Sequence, residues 1–139
     1  MTLNEKEKAL VEDFSIYTDW MEKYEYIIEL GKDLPIIDEQ YKLAENIIKG
    51  CQSTVWLHAE LKDERVVFTA DADAIITKGL IALLVSVLSN EKPDDIINCD
   101  LNFIKEIGLQ EHLSPTRSNG LVAMVKQMKL YAMALKLKG

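Results

Sequence analysis

The chain is predicted to fold as an α+β domain, a small antiparallel sheet packed by helices. Residues Thr54 to Leu61 alternate, with Val55, Leu57, Ala59 and Leu61 on one face and Trp56, His58 and Glu60 on the other, the two-residue period of a half-buried strand. Arg65 to Ala70 is rich in β-branched and aromatic residues and follows the polar turn Lys62 to Glu64, so the two segments form a hairpin. Helical periodicities precede and follow the hairpin, and no crossover helix separates its strands, which makes the sheet antiparallel.

Taken in order, Asn4 is placed to cap a first helix, with Glu7 as its capping-box partner and Leu10, Val11 and Phe14 on the inner face, ending near Tyr17 or Thr18. Asp19 and Glu22 repeat the capping pattern for a second helix, in which Trp20, Tyr24, Ile27 and Ile28 recur at helical spacing and Gly31 serves as the C′ residue. Pro35 and the polar stretch Asp38 to Lys42 read as irregular chain leading into a short extended segment, Glu45 to Lys49. After the hairpin, Asp71 or Asp73 caps a helix over Ala74 to Leu88 that is apolar nearly all round, and so is buried against the sheet. Pro93 opens a short helical turn whose positive end is favoured by Asp94 and Asp95. Asp100 caps a further helix through Phe103, Ile104 and Ile107, which Gly108 ends. Ser114-Pro115 starts the last helix, along which Leu121, Met124, Val125, Met128, Ala132 and Leu135 recur at helical spacing.

At roughly 150 residues per domain, the 139 residues form one domain over 1–139. With 48% hydrophobic and 28% charged residues, the disordered and fibrous classes are excluded. The 16 basic residues face 23 acidic ones, and a net charge of -7 argues against nucleic acid and anionic membranes as partners. The N-terminus carries no basic segment followed by an apolar run, and the longest apolar stretch, Gly79 to Leu88, is about half the roughly 20 residues of a membrane span. The expectation is a cytoplasmic protein with reduced thiols. Its two cysteines, Cys51 and Cys99, lie 48 positions apart without a CxxC pair, so neither a disulfide framework nor a four-cysteine zinc site is expected.

Cys51 stands in Gly50-Cys51-Gln52-Ser53, between one extended segment and the next, and so is expected to project, exposed, from a turn at the tip of a sheet. The glycine lets the backbone bend without Cβ strain, and Gln52 and Ser53 offer hydrogen-bond donors to a sulfur anion. Two readings stay open from the spacing: a nucleophile, or a small inert hydrophobe. Arg117 falls in the first turn of the last helix, an unusual place for a cation, and reads either as a surface ion-pair partner or as a functional charge. Asp73 reads as a helix cap before a mechanistic group. His58 and His112 read as surface or structural imidazoles, and Met124, Met128 and Met133 as core filler.

Four separated blocks in order then carry a resemblance. Trp20, Glu22 to Tyr24 and Ile27 to Gly31, then Gly50-Cys51-Gln52-Ser53 with Val55-Trp56, then Asp73-Ala74 with Lys78-Gly79-Leu80, then Ser114 to Ser118 with Gly120-Leu121, together resemble the SufE family of sulfur-acceptor proteins. The likeness spans nearly the whole chain. It implies a curved antiparallel sheet of about three strands packed by helices, shared with IscU-type scaffolds. It also implies a partner, a cysteine desulfurase of the SufS or CsdA kind, to which the pyridoxal phosphate belongs, so that this chain binds no cofactor. The partner's persulfide would pass its outer sulfur to Cys51, which would carry it to an iron-sulfur scaffold complex of the SufBCD kind and stimulate the desulfurase. Gln52 and Ser53 would belong to the active loop, with Asp73 and Arg117 beside it, the latter steadying a thiolate or persulfide, and apolar side chains would shelter the loop. Cys99 departs from the family pattern and, beside Ile96, Ile97 and Leu101, reads as a buried small hydrophobe. The expected assembly is a monomer or weak homodimer.

Two other classes compete. A cysteine-dependent thiol enzyme would need His58 or His112 within hydrogen-bond reach of Cys51, held by a third group. An iron-sulfur scaffold would need about three cysteine ligands or equivalents, where two cysteines are present.

Overall fold

The computed structural model describes residues 1–138 as helices around one β-hairpin. Thr2, not Asn4, caps α1 (Leu3–Ser15): its hydroxyl accepts from Glu5 N, and Glu5 Oε1 accepts in return from Thr2 N at 2.9 Å. The capping pattern occurs in two registers two residues apart, and the one used turns Leu3 into the core. Asp19 caps α2 (Trp20–Gly31) as expected, accepting from Glu22 N. Gly31 remains helical, and Lys32 after it keeps right-handed geometry, so glycine is not required there by backbone conformation.

The hairpin pairs β1 (Val55–Lys62) with β2 (Arg65–Ala72) in unbroken antiparallel register from Val55↔Ala72 to Lys62↔Arg65. Asp63 and Glu64 both take positive φ at the turn, as a two-residue type I′ connection demands. Val55, Leu57, Val66, Phe68 and Ala70 form the buried face. The sheet has two strands rather than about three. Where a further strand was expected, Ala44–Asn46 forms a 3₁₀ turn, Gly50 turns the chain away, and only Ile47 bridges β1 at Trp56. Ile36 makes a similar single bridge to Ala70 on the other edge.

The central helix α3 (Ile75–Leu88) buries nine residues, among them Leu80, Ile81, Leu84 and Leu88. Neither Asp71 nor Asp73 caps it: the N-cap is Ala74, without a side-chain hydrogen bond. Its pairing with α2 is backbone to backbone, since a Cβ on Gly79 would collide with the Ile27 carbonyl oxygen. This contact accounts for Gly79, and for Gly31 opposite it, where a Cβ would meet Gly79 N at 3.1 Å. Then follow α4 (Pro93–Ile97), with proline at its start, α5 (Asn102–Ile107), α6 (Leu109–His112) and α7 (Pro115–Lys138). Asp100 does not cap α5; the N-cap is Leu101, itself left-handed at φ 52. Gly108 ends α5 in the left-handed region, as expected. Ser114 caps α7, its Oγ accepting from Arg117 N at 3.3 Å, and the buried side of α7 is Gly120, Leu121, Met124, Met128 and Ala132. No helix among the described residues is long and apolar enough to cross a membrane.

The outer face of the hairpin is covered locally. Tyr41, from the 3₁₀ turn Glu39–Tyr41, stacks on His58 at 3.7 Å between ring centroids, and Lys42 pairs with Asp71 at 2.9 Å while lying over Trp56. The other imidazole, His112, stacks on Trp20 at 4.1 Å. Both histidines are therefore engaged in aromatic packing.

Candidate functional site

The site is built where the loop before β1 meets the starts of α3 and α7. Gly50, at φ +100, supplies a left-handed turn that a side chain would strain. A Cβ there would also stand 3.2 Å from Ala123 Cβ on α7. The turn carries Cys51 against the same helix, where Gly120 leaves room: a Cβ on Gly120 would lie 3.6 Å from Cys51 Sγ. The thiol donates to the Gly120 carbonyl at 3.6 Å.

The far side of the loop is fastened to α3 and β2. Ser53 Oγ donates to Thr77 Oγ1 at 2.9 Å. Thr54 N donates to Asp73 Oδ1 at 3.0 Å, and Asp73 N donates to the Thr54 carbonyl at 3.1 Å. Upstream, Ile48 N donates to the Val55 carbonyl at 2.9 Å. The bend that bears Cys51 is thus closed at its base by main-chain bonds and fixed at its shoulder by one hydroxyl pair.

Between these elements lies a cavity of about 370 Å³, and Cys51, Gln52, Ser53, Asp73 and Arg117 all line it. Leu80 and Met124 contribute apolar wall, with Thr77, Thr116 and Gly120 completing it. Sequence reasoning did not single out Thr77, and it named Gly120 only within the family likeness, without its contact to the loop. The small residues Gly120 and Ala123, three apart on α7, were the available signal for a close approach.

Three expectations about these residues need correction. Asp73 does not cap α3; its carboxylate receives the Thr54 amide and so staples the loop to the hairpin. Ser53 does not donate to the sulfur, because its hydroxyl is committed to Thr77. Cys51 is not a fully exposed thiol on a tip but half-buried against α7. Burial pushes its pKa above the ordinary thiol value, and an acceptor carbonyl beside Sγ favours the protonated form further. Arg117 and Gln52 are exposed at the rim, and Arg117 makes no ion pair among the described residues.

Cys99 lies elsewhere, 8% exposed, with Sγ accepting from Leu101 N at 3.4 Å. Both cysteines are free. Neither His58 nor His112 lines the Cys51 cavity. Among the described residues no group of three or more His, Cys, Asp or Glu side chains is placed to hold a metal ion.

A family model described as SufE, Fe-S metabolism associated domain, matches residues 8–132. The chain is 42% identical over 135 residues to SufE-like protein 1, chloroplastic/mitochondrial, of Arabidopsis thaliana, with 96% of this chain and 36% of that protein covered. It is 38% identical over 125 residues to an uncharacterized SufE-like protein of Rhizobium meliloti (strain 1021), covering 86% of this chain and 89% of the relative. The chain thus spans about a third of the plant relative and most of the bacterial one. Among solved structures, the solution structure of a hypothetical protein from Thermus thermophilus superposes with a TM-score of 0.79 at 21% identity, covering 95% of this chain and 96% of that one. That likeness concerns the fold.

Proposed function

The chain belongs to the SufE family, whose domain is associated with Fe-S metabolism, and from that premise we propose that it is a sulfur carrier. Cys51 receives sulfane sulfur from the persulfide of a partner cysteine desulfurase, which holds the pyridoxal phosphate, and passes it to an iron-sulfur assembly scaffold. The observation that carries the reading is the cavity at Cys51, which joins a cysteine on a glycine-hinged loop to Gln52, Ser53, Asp73 and Arg117.

The transfer is a thiol exchange. Cys51 gives its proton to solvent, and its thiolate attacks the outer sulfur of the partner's persulfide. A new S–S bond forms on Cys51, the old one breaks, and the partner's cysteine leaves as thiolate. No net oxidation occurs, because the zero-valent sulfur changes only its carrier. A scaffold thiol repeats the exchange in the second half.

The resting loop is poorly set for attack, since burial disfavours the thiolate and Sγ faces a carbonyl. The reaction therefore calls for a loop that leaves Gly120 when a partner engages, and the Ser53–Thr77 hydroxyl pair is the contact that such a movement breaks. In the withdrawn position the cavity walls of Leu80 and Met124 keep small reductants from a bound persulfide. Arg117 at the rim offers a cation to the anionic sulfur as it enters. The carrier needs Cys51 reduced between cycles, which suits a cytoplasmic setting.

Mass spectrometry after incubation with a cysteine desulfurase and cysteine tests the proposal. One additional sulfur atom should appear on Cys51 and disappear on treatment with reductant. A chain that stays unmodified while the desulfurase turns over, or carries its sulfur elsewhere, would be incompatible with it.

A further inference from the structure

The helix α7 is apolar on two opposite sides. Its inner side packs on the core, but Val122, Leu130, Met133 and Leu137 are 52%, 46%, 48% and 88% exposed. At 100° per residue these four fall within about 80° of arc, roughly opposite Met124 and Met128, and the exposed Lys126 lies in the middle of the same arc, between Val122 and Leu130. One end of this stripe runs into a hollow of about 470 Å³ between α5 and α7, lined by Ile104, Leu121 and Val125 and by the charged Lys105, Lys126, Lys129 and Asp100.

The charge on this side opposes that of the rest of the molecule. Over its 24 residues α7 has Arg117, Lys126, Lys129, Lys136 and Lys138 and no acidic residue, in a chain of net charge -7. None of the ion pairs among the described residues uses Lys105, Lys126 or Lys129, although Lys129 Nζ donates to the Cys99 carbonyl. Apolar side chains interleaved with three lysines against one carboxylate, Asp100, ask for an apolar ligand that also carries carboxylates.

We propose that the α5–α7 hollow and the adjoining stripe of α7 form a docking groove for an acidic amphipathic helix of a partner protein. Apolar residues of that helix at i, i+3 or i+4 and i+7 would lie along Val122, Leu130 and Met133, with its carboxylates against Lys105 and Lys126. A second copy of this chain fits poorly, because a two-fold pairing through α7 sets lysines against lysines. An anionic membrane fits poorly too: the stripe has no aromatic residue, and the remainder of the chain is acidic. Gly120 and Ala123 turn toward the Cys51 loop while Val122 turns to solvent, so a helix in the groove leaves the loop free for another protein.

The test is titration of the full isotope-labelled chain, followed by amide chemical shifts, with a synthetic helical peptide carrying leucines at that spacing and flanking glutamates. Saturable shifts should map to α5 and the middle of α7, and Lys105→Glu with Lys126→Glu should weaken binding about ten-fold or more. Val122→Glu should weaken it comparably, and a peptide of the same composition with its periodicity scrambled should not saturate. The proposal is overturned if the peptide leaves these amides unmoved or shifts the Cys51 loop instead. It is equally overturned if phosphatidylglycerol vesicles bind this face in place of the peptide, or if sedimentation shows self-association that Val122→Glu abolishes.

Discussion

The two cysteines of this chain share a pKa raised by burial and differ in almost everything else. Both are free, both are drawn away from solvent, and burial is the leading cause that raises each pKa above the ordinary thiol value. Cys51 sits on a loop whose sulfur touches a helix through a carbonyl 69 positions away in sequence. Cys99 sits in a tight local turn, its sulfur receiving the amide two residues on, in the core cluster with Ile96, Leu101 and Phe103. The electrostatics diverge as well. The hollow outside Cys99 is bordered by five carboxylates, Glu5, Glu7, Glu91, Asp95 and Asp100, against two cations, Arg65 and Lys92, with Glu91 paired to Lys6, and the charges of Glu7 and Asp100 add to the rise of its pKa while Lys129 opposes it. The Cys51 cavity has one carboxylate, Asp73, tied down by an amide, and one guanidinium at its rim. Thiol acidity in the resting fold does not separate the two cysteines; loop attachment and the sign of the neighbouring charge do.

The largest expected consequence is kinetic. With iodoacetamide under native conditions, Cys51 should be alkylated about a hundred-fold faster than Cys99, because the former is released by loop motion and the latter only by opening of packed core. Peptide mapping of a time course measures both rates in one sample. In denaturant the rates should converge, and equal rates in the native chain would erase the distinction drawn here.

A second difference is energetic and runs the other way. Cys99→Ser should cost about 1–3 kcal/mol in chemical unfolding, since it places a hydroxyl in an apolar turn. Cys51→Ser should stay within about 0.5 kcal/mol of the parent, its side chain being only half-buried. Alkaline pH sharpens this contrast. A thiol whose folded pKa is raised contributes its full stability below the ordinary thiol pKa and loses it as pH climbs through the raised value. Cys99→Ala should therefore remove part of the alkaline loss of stability, measured as denaturation midpoint against pH.

These regions were not equally legible in the sequence. The hairpin was, because alternation over Thr54 to Leu61 admits a single register once one face must be buried. Cap assignments were less secure, since Thr2 and Asn4 each precede a glutamate by three and only the burial of Leu3 chooses between them. Asp73 looked like a cap because the same short carboxylate that accepts from a helix amide also accepts from a strand amide, and tertiary placement selects Thr54. The expected further strand failed because Ala44–Asn46 closes a local 3₁₀ turn before Ile47 reaches β1. At the site, Cys51 stood out by its loop, while the nearness of Asp73 and Arg117 came from family likeness. The bonds to Gly120 and Thr77 arise between distant elements and leave no periodic trace.

The charge contrast predicts a third effect, of several-fold size. Iodoacetate and iodoacetamide differ chiefly in a negative charge, so the rate ratio between them reads the local potential. Cys99, facing the acidic hollow, should discriminate against the anion more strongly than Cys51 does, and about 1 M salt should narrow the gap by screening. A ratio identical at both sites would mean that the acidic border lies too far from the sulfur to matter.

The smallest effect isolates the loop's attachment. Ser53→Ala removes the donor to Thr77 and leaves both residues at the cavity edge, where water can satisfy the orphaned hydroxyl. A net hydrogen bond of about 0.5–1.5 kcal/mol then shifts the loop's opening equilibrium about three- to ten-fold, and Cys51 alkylation should accelerate by that factor while Cys99 is unchanged. Thr77→Val should do the same from the other side, and combining the two should add little, because they remove one and the same bond. If both single variants leave the Cys51 rate where it was, the hydroxyl pair does not hold the loop, and restraint must lie in the contact of Gly50 and Cys51 with Gly120 and Ala123.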